Sequence, residues 1–311
     1  MPTPRTEYAL LGLLALLWGS SYLFIRVAVE TIPPVTLVAL RVSIASVLLL
    51  AIARAQGHRL PRDPGTWGHL AVQSFLNSYG AWTLLAWGQQ YVESGLAGVL
   101  NSTAPVFVVL ISALWLRRAS KARAVAGACL GLAGVVLIMG PEVLAGLGRN
   151  VAAQGAVLAG SMLYAFAALN GGRFAHLPPV ITAAGTMLVA AVVLIPASLV
   201  LEQPWTLSPS AKSLAAASAL GLLCTGLAMF LYFRLLRTLG PLGAASQAYL
   251  RAGVAVVLGM VILGETLDAF TALGIATALA GVILINWPGA RAQAKRVAQA
   301  GSMRPPRRSD G

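Results

Sequence analysis

Charge is scarce in this sequence. Only 10% of its 311 residues are charged, and Asp and Glu together number nine. Histidine occurs three times, cysteine twice, and lysine only at Lys121, Lys212 and Lys295. Each shortage excludes something. With 58% apolar residues and a mean hydropathy of +0.80, so few charges could not cover the surface of a soluble fold of this size. No G-x-x-x-x-G-K-[ST] phosphate loop is present, which removes P-loop ATP hydrolysis. No H-E-x-x-H or Cys/His cluster is present, so neither a metal nor another cofactor is expected. Cys129 and Cys224 each lie inside an apolar run and read as small core residues. Serine and tyrosine occur at depth without a paired base, so an intramembrane enzyme is not expected.

Ten apolar stretches are long enough to cross a bilayer, which takes about 20 residues each. They run over 8–29, 33–53, 66–88, 94–116, 122–141, 151–172, 178–201, 212–236, 240–263 and 269–287. The reading is therefore an all-α integral membrane protein. The net charge of +13 would suggest nucleic acid on a soluble protein. Here the basic residues sit between the apolar runs and in the last 21 residues, where they face the cytoplasm and anionic lipid. With the N-terminus inside, the cytoplasmic loops and termini hold 17 Lys and Arg, among them Arg54, Arg59, Arg62, Arg117, Arg118 and Arg123. The opposite side holds only Arg149 and Lys212, together with six acids: Glu30, Glu93, Glu142, Glu202, Glu265 and Asp268. Both termini are expected in the cytoplasm, and the tail over 289–311 is expected to be basic and disordered.

An internal repeat divides the chain. GACLGLAGVVLI at 127–138 and GIATALAGVILI at 274–285 match at a shift of 147 residues. That shift carries the fourth span onto the ninth and the fifth onto the tenth. Each half, 1–145 and 146–288, therefore holds five spans. Five is odd, so the second half inserts upside down relative to the first. Inverted repeats around an axis in the membrane plane are a transporter design with the substrate near the midplane.

Particular residues carry a resemblance. Trp18 to Arg41 reads WGSSYLFIRVAVETIPPVTLVALR, and Gly243 to Glu265 reads GAASQAYLRAGVAVVLGMVILGE. With Pro105 and the ten-span, two-repeat plan, these resemble the EamA-type members of the drug/metabolite transporter superfamily over about residues 8 to 287. Within that group the likeness leans toward amino-acid exporters, including those for aromatic amino acids. The resemblance implies an inner-membrane exporter of small metabolites working by alternating access. A multidrug exporter of the same superfamily is the alternative. A carrier of lipophilic cations would favour an embedded acid, and none lies deep in a span. Two departures stand out. Leu116-Arg117-Arg118 replaces an acidic ending, and Arg251-Ala252 stands where a kinking proline is common.

Arg251 is the residue most suited to substrate contact. It lies about 11 residues into its span, where lipid exposure would cost at least about 2.5–3.5 kcal/mol. No acid at similar depth can neutralise it, whereas a substrate carboxylate could. Gln247 lies one turn earlier on the same face. In the third span Asn77 shares a face with Gln73, and Tyr79 shares another with Trp82; aromatic rings at this depth suit a flat or apolar substrate. Trp18 and Tyr22 share a face of the first span. Asn101, one turn before Pro105, and Tyr164 complete the set; a proline there kinks the helix and frees a carbonyl near Asn101. Arg41 reads as a scaffold or gate residue, and Arg26 as one that snorkels to water. Gly127, Gly131, Gly134, Gly274 and Gly281 read as positions where helix backbones approach closely. The expected partners are a carboxylate-bearing small molecule and the lipid bilayer, not nucleic acid. Without a deep acid or histidine, the carrier is expected to equilibrate or exchange its substrate.

Overall fold

The computed structural model describes residues 4–89, 91–92, 94–117, 120–139, 144, 147, 150–263 and 269–287. Among them every regular element is helical. The helices are α1 (Pro4–Ala28), α2 (Pro34–Ala55), α3 (Pro64–Asn77), α4 (Tyr79–Gln89), α5 (Ser94–Asn101), α6 (Ala104–Leu114) and α7 (Ala122–Met139). They continue with α8 (Val151–Asn170), α9 (Pro179–Leu201), α10 (Ala211–Ala219), α11 (Ala228–Ala245), α12 (Gln247–Leu263) and α13 (Ala269–Asn286). A π-helical segment, Leu220–Leu227, joins α10 to α11.

Local chemistry sets the helix starts. Proline takes the first helical position in α2, α3 and α9, where its missing N–H would have been unpaired anyway. The side chains of Asp63, Asn150 and Ser210 accept from the backbone N–H groups of Thr66, Ala153 and Ser213, capping α3, α8 and α10. Donation from the Thr66 backbone and hydroxyl holds the Asp63 carboxyl below the usual carboxylate range. Gly240 adopts φ 76° and Pro241 follows it, so the chain bends sharply inside α11 before leading into α12.

Seven helical stretches among the described residues are long and apolar enough to cross a bilayer: 34–55, 96–114, 122–139, 151–174, 179–201, 211–245 and 269–286. The other three expected spans fall on α1, the α3–α4 pair and α12. Three expected spans are interrupted, the ninth at Ser246 between α11 and α12. The third breaks at Ser78 (φ −128°, ψ −102°), between α3 and α4. The fourth breaks at residues 102–103, between α5 and α6. The expected break between the halves at 145/146 and the tail over 289–311 lie outside the described residues.

Helices far apart in the chain pack on each other: α2 on α9, α1 on α12, and α7 on α13. The α7–α13 contact joins the two copies of the repeated sequence. A Cβ on Gly127 would stand 2.8 Å from the Gly281 carbonyl oxygen, and one on Gly274 would stand 2.9 Å from that of Gly134. Small residues therefore bring these backbones into direct contact, where dispersion and close fit replace the hydrophobic effect inside lipid. Tyr249 is fully buried beside them and donates its hydroxyl to the Ala128 carbonyl at 2.8 Å. Of the two cysteines, Cys224 is buried as expected, but Cys129 is exposed, so it is not a core residue.

Candidate functional site

A cavity of about 270 Å³ lies between α1, α2, α4, α8, α11 and α12, with the α5–α6 break on another side. Along α1 its wall runs from Val29 to Trp18, about 16 Å at 1.5 Å per residue. On α2 it uses Pro34, Leu37, Val38 and Arg41, the first two turns. The cavity thus extends to the α1–α2 turn, which carries Glu30, and its wall covers about half the roughly 30 Å of hydrocarbon.

Polar contacts tie the helices together at the opposite end. Asn77 Nδ2 donates to Met229 Sδ at 3.4 Å at the floor. Beneath it Gln73 donates to the Ala167 carbonyl at 3.1 Å and accepts from Asn170 Nδ2 at 2.8 Å, while Ser74 donates to the Thr186 carbonyl at 2.8 Å. At the end of α1, buried Glu7 pairs with Arg234 at 3.3 Å and accepts from the Thr238 hydroxyl at 2.7 Å.

Among the described residues, two guanidinium groups reach the cavity wall and no carboxylate does. Arg41 is held in place. Its Nε donates to Thr225 Oγ1 at 3.0 Å, and its guanidinium carbon lies 4.4 Å from the centre of a Trp82 ring. That cation–π contact gains strength away from water. The π-helical segment builds the acceptor. Thr225 donates to the Leu220 carbonyl five residues back at 2.9 Å, which aims its lone pairs at Arg41. Where π pairing returns to α pairing, one carbonyl is left without a partner in the helix. The Cys224 carbonyl in this segment accepts from Trp18 Nε1 at 3.1 Å, fixing that ring 5.6 Å from Tyr232. Arg251, by contrast, is half-buried and has no hydrogen-bond or ion-pair partner among the described residues.

The α5–α6 break supplies the remaining polarity. Pro105 sits at the second position of α6, and the Asn101 carbonyl accepts from Ser161 Oγ at 3.0 Å. The carbonyl expected to be freed near Asn101 is thus taken up by α8. The side-chain oxygens Asn101 Oδ1 and Gln247 Oε1 are buried and have no partner among the described residues.

The comparisons with known proteins agree with this architecture. The model of the EamA-like transporter family matches residues 6–140 and again 152–287. The chain belongs to the EamA-like transporter family. It is 32% identical over 273 residues, 88% of each chain, to the "Uncharacterized inner membrane transporter YedA" of Escherichia coli K12. It is 29% identical over 280 residues, 86% of this chain and 89% of the relative, to the "Probable terminal-alkyne amino-acid exporter" of Streptantibioticus cattleyicolor. A solved crystal structure at 22% identity shares the fold, with a TM-score of 0.74 over 90% of this chain and 97% of its own. This transporter is therefore a multi-pass membrane protein of a family that carries small molecules, not a family of enzymes.

The structure brings together most of the residues singled out from the sequence. Trp18, Asn77, Trp82, Asn101, Tyr164, Gln247 and Arg251 all line the cavity. Tyr79 does not; it packs edge-on against Phe75 at 5.5 Å between ring centres. The side chains of Tyr22 and Arg26 lie outside the described set. Arg41, read as scaffold or gate, is part of the wall, as are Ser21, Met229 and Tyr232. Tyr232 is an aromatic of the same kind as Tyr164, and its hydroxyl was the available signal. Its span is written as 212–236, which puts it near the end, but the helix continues to the Gly240 bend and leaves Tyr232 buried within the bundle.

Proposed function

We propose that this transporter exports small carboxylate-bearing metabolites, amino acids foremost and aromatic ones among them, by alternating access and without ATP hydrolysis. In this reading the two halves are inverted five-span repeats, ten spans in all, with both termini in the cytoplasm of an inner-membrane protein. The cavity then opens to the outside. The polar layer of Gln73, Ser74, Asn77 and Asn170 and the Glu7–Arg234 pair close the cytoplasmic end.

One observation carries the reading: among the described residues, two arginines and no carboxylate line a buried aromatic-walled cavity. A buried cation without a counter-charge is costly. Arg41 recovers part of that cost from Thr225 and Trp82. Arg251 recovers none from the described residues, and a carboxylate would complete it. Trp18, Trp82, Tyr164 and Tyr232 offer ring faces and edges to an apolar or aromatic side chain. The kinship with a relative named as an amino-acid exporter points the same way.

Counterflow in proteoliposomes tests this. Unlabelled amino acids, their methyl esters and lipophilic cations are each loaded inside, and uptake of a labelled amino acid is followed. Free amino acids are expected to accelerate uptake, while esters and cations are not. Acceleration by lipophilic cations alone would favour the multidrug reading.

A further inference from the structure

Two oxygens at the cavity have no role in holding the fold. Asn101 is 5% exposed and Gln247 8%, and Asn101 Oδ1 and Gln247 Oε1 are buried without a hydrogen-bond partner among the described residues. A buried carbonyl oxygen left unpaired costs about 1–3 kcal/mol. Both residues belong to the cavity wall. They sit at two of the broken places in the wall: Asn101 ends α5 beside the α5–α6 break, and Gln247 opens α12 after the turn at Ser246. At the first break the negative end of α5 and the positive start of α6 lie within one turn, an environment suited to a ligand carrying both signs of charge. Gln247 is four residues before Arg251, so acceptor and cation share one face of α12.

Resting on the proposed carriage of carboxylates, we infer that Asn101 Oδ1 and Gln247 Oε1 form the subsite for the substrate's α-ammonium group, while Arg251 takes its carboxylate. The two ends of a zwitterion then meet opposite chemistries on one wall. The terminal amide torsion is a broad well, so each oxygen can turn onto a donor without leaving its rotamer. Binding converts two unpaired acceptors into charge-assisted hydrogen bonds. An analogue without the amine leaves them unpaired, and sites of this kind reject such analogues strongly.

The test is competition against labelled L-phenylalanine in counterflow, using unlabelled L-phenylalanine, its des-amino analogue 3-phenylpropanoate, and L-phenylalanine methyl ester. With the unsubstituted transporter, 3-phenylpropanoate should compete at least about tenfold more weakly than L-phenylalanine. In Gln247→Leu and Asn101→Leu that preference should shrink toward parity, because the acceptors are gone. Equal competition by L-phenylalanine and 3-phenylpropanoate, with the ester excluded, would overturn the ammonium subsite and leave carboxylate carriage standing. Equal competition by the ester and the free acid, or no competition by L-phenylalanine itself, would overturn the parent reading instead. The comparison in the unsubstituted protein decides the matter even if both variants fail to fold. If both fold and keep the full preference, these two residues are not the subsite.

Discussion

Arg41 and Arg251 show how far a residue's role depends on its partners. Both are guanidinium groups in apolar helices, at the wall of one cavity. Arg41 is committed to Thr225 and Trp82, whereas Arg251 is uncommitted among the described residues. Arg251→Ala should therefore leave the fold intact, seen as an unchanged size-exclusion profile. Counterflow of carboxylate substrates should fall about tenfold or more, since hydrogen bonds to charged groups contribute about 1.5–3 kcal/mol. Undiminished counterflow would remove Arg251 from the site. Thr225→Val should act more mildly, by loosening Arg41 without removing its charge. A few-fold loss of rate with unchanged expression is expected, and a full loss would mean that Thr225 itself meets the substrate. The sequence marks Arg251 because a charge at mid-span has few permitted environments. It does not mark Arg41 as a wall residue, because Thr225 and Trp82 lie 184 and 41 positions away in the chain.

Among the elements, the breaks matter more than the helices. Pro105 makes the α5–α6 interruption legible, since proline removes one backbone donor and clashes with the preceding turn. The rescue of the Asn101 carbonyl by Ser161 is not legible, because it depends on α8 lying alongside. Ser161→Ala strands that carbonyl and should lower stability by about 1–3 kcal/mol, read as a lower thermal midpoint in detergent. An unchanged midpoint would mean that water or another donor replaces the hydroxyl. The interruption at Ser78 has no proline or glycine of its own to announce it; a Cβ on the nearby Gly80 would meet the Phe75 carbonyl oxygen at 2.6 Å. The π-helical segment is equally silent in sequence, yet it supplies both the Thr225 and the Cys224 acceptors. The glycines of α7 and α13 were legible as close-packing positions, and their facing arrangement follows from the repeat. Gly274→Leu should drive a side chain into the Gly134 carbonyl and the Ile138 backbone and destabilise the contact by about 1–3 kcal/mol or more. A lower thermal midpoint with dispersed α-helical signal retained is the expected readout, and an unchanged one would show that α13 can slide aside.

At the scale of the whole molecule, the sides of the cavity are unequal. Ile25, Val29 and Pro34 wall one end; in the proposed reading the other is sealed by the Gln73–Asn170 layer and by buried Glu7 with Arg234. Apolar length made the membrane class readable in advance, and the resemblance carried by Trp18–Arg41 and Gly243–Glu265 did the same for the family. The seal was less readable, because Gln73 and Asn170 look like ordinary span residues until α3 and α8 are placed together. If the two halves exchange tilts, this seal must open as the far end closes. A cysteine at Val38, midway along the wall, in a background carrying Cys129→Ser and Cys224→Ser, tests that directly. A membrane-impermeant maleimide should label it when added to either face of the membrane, with substrate protecting it from both. Labelling from one face alone, whatever substrate is present, would contradict alternating access.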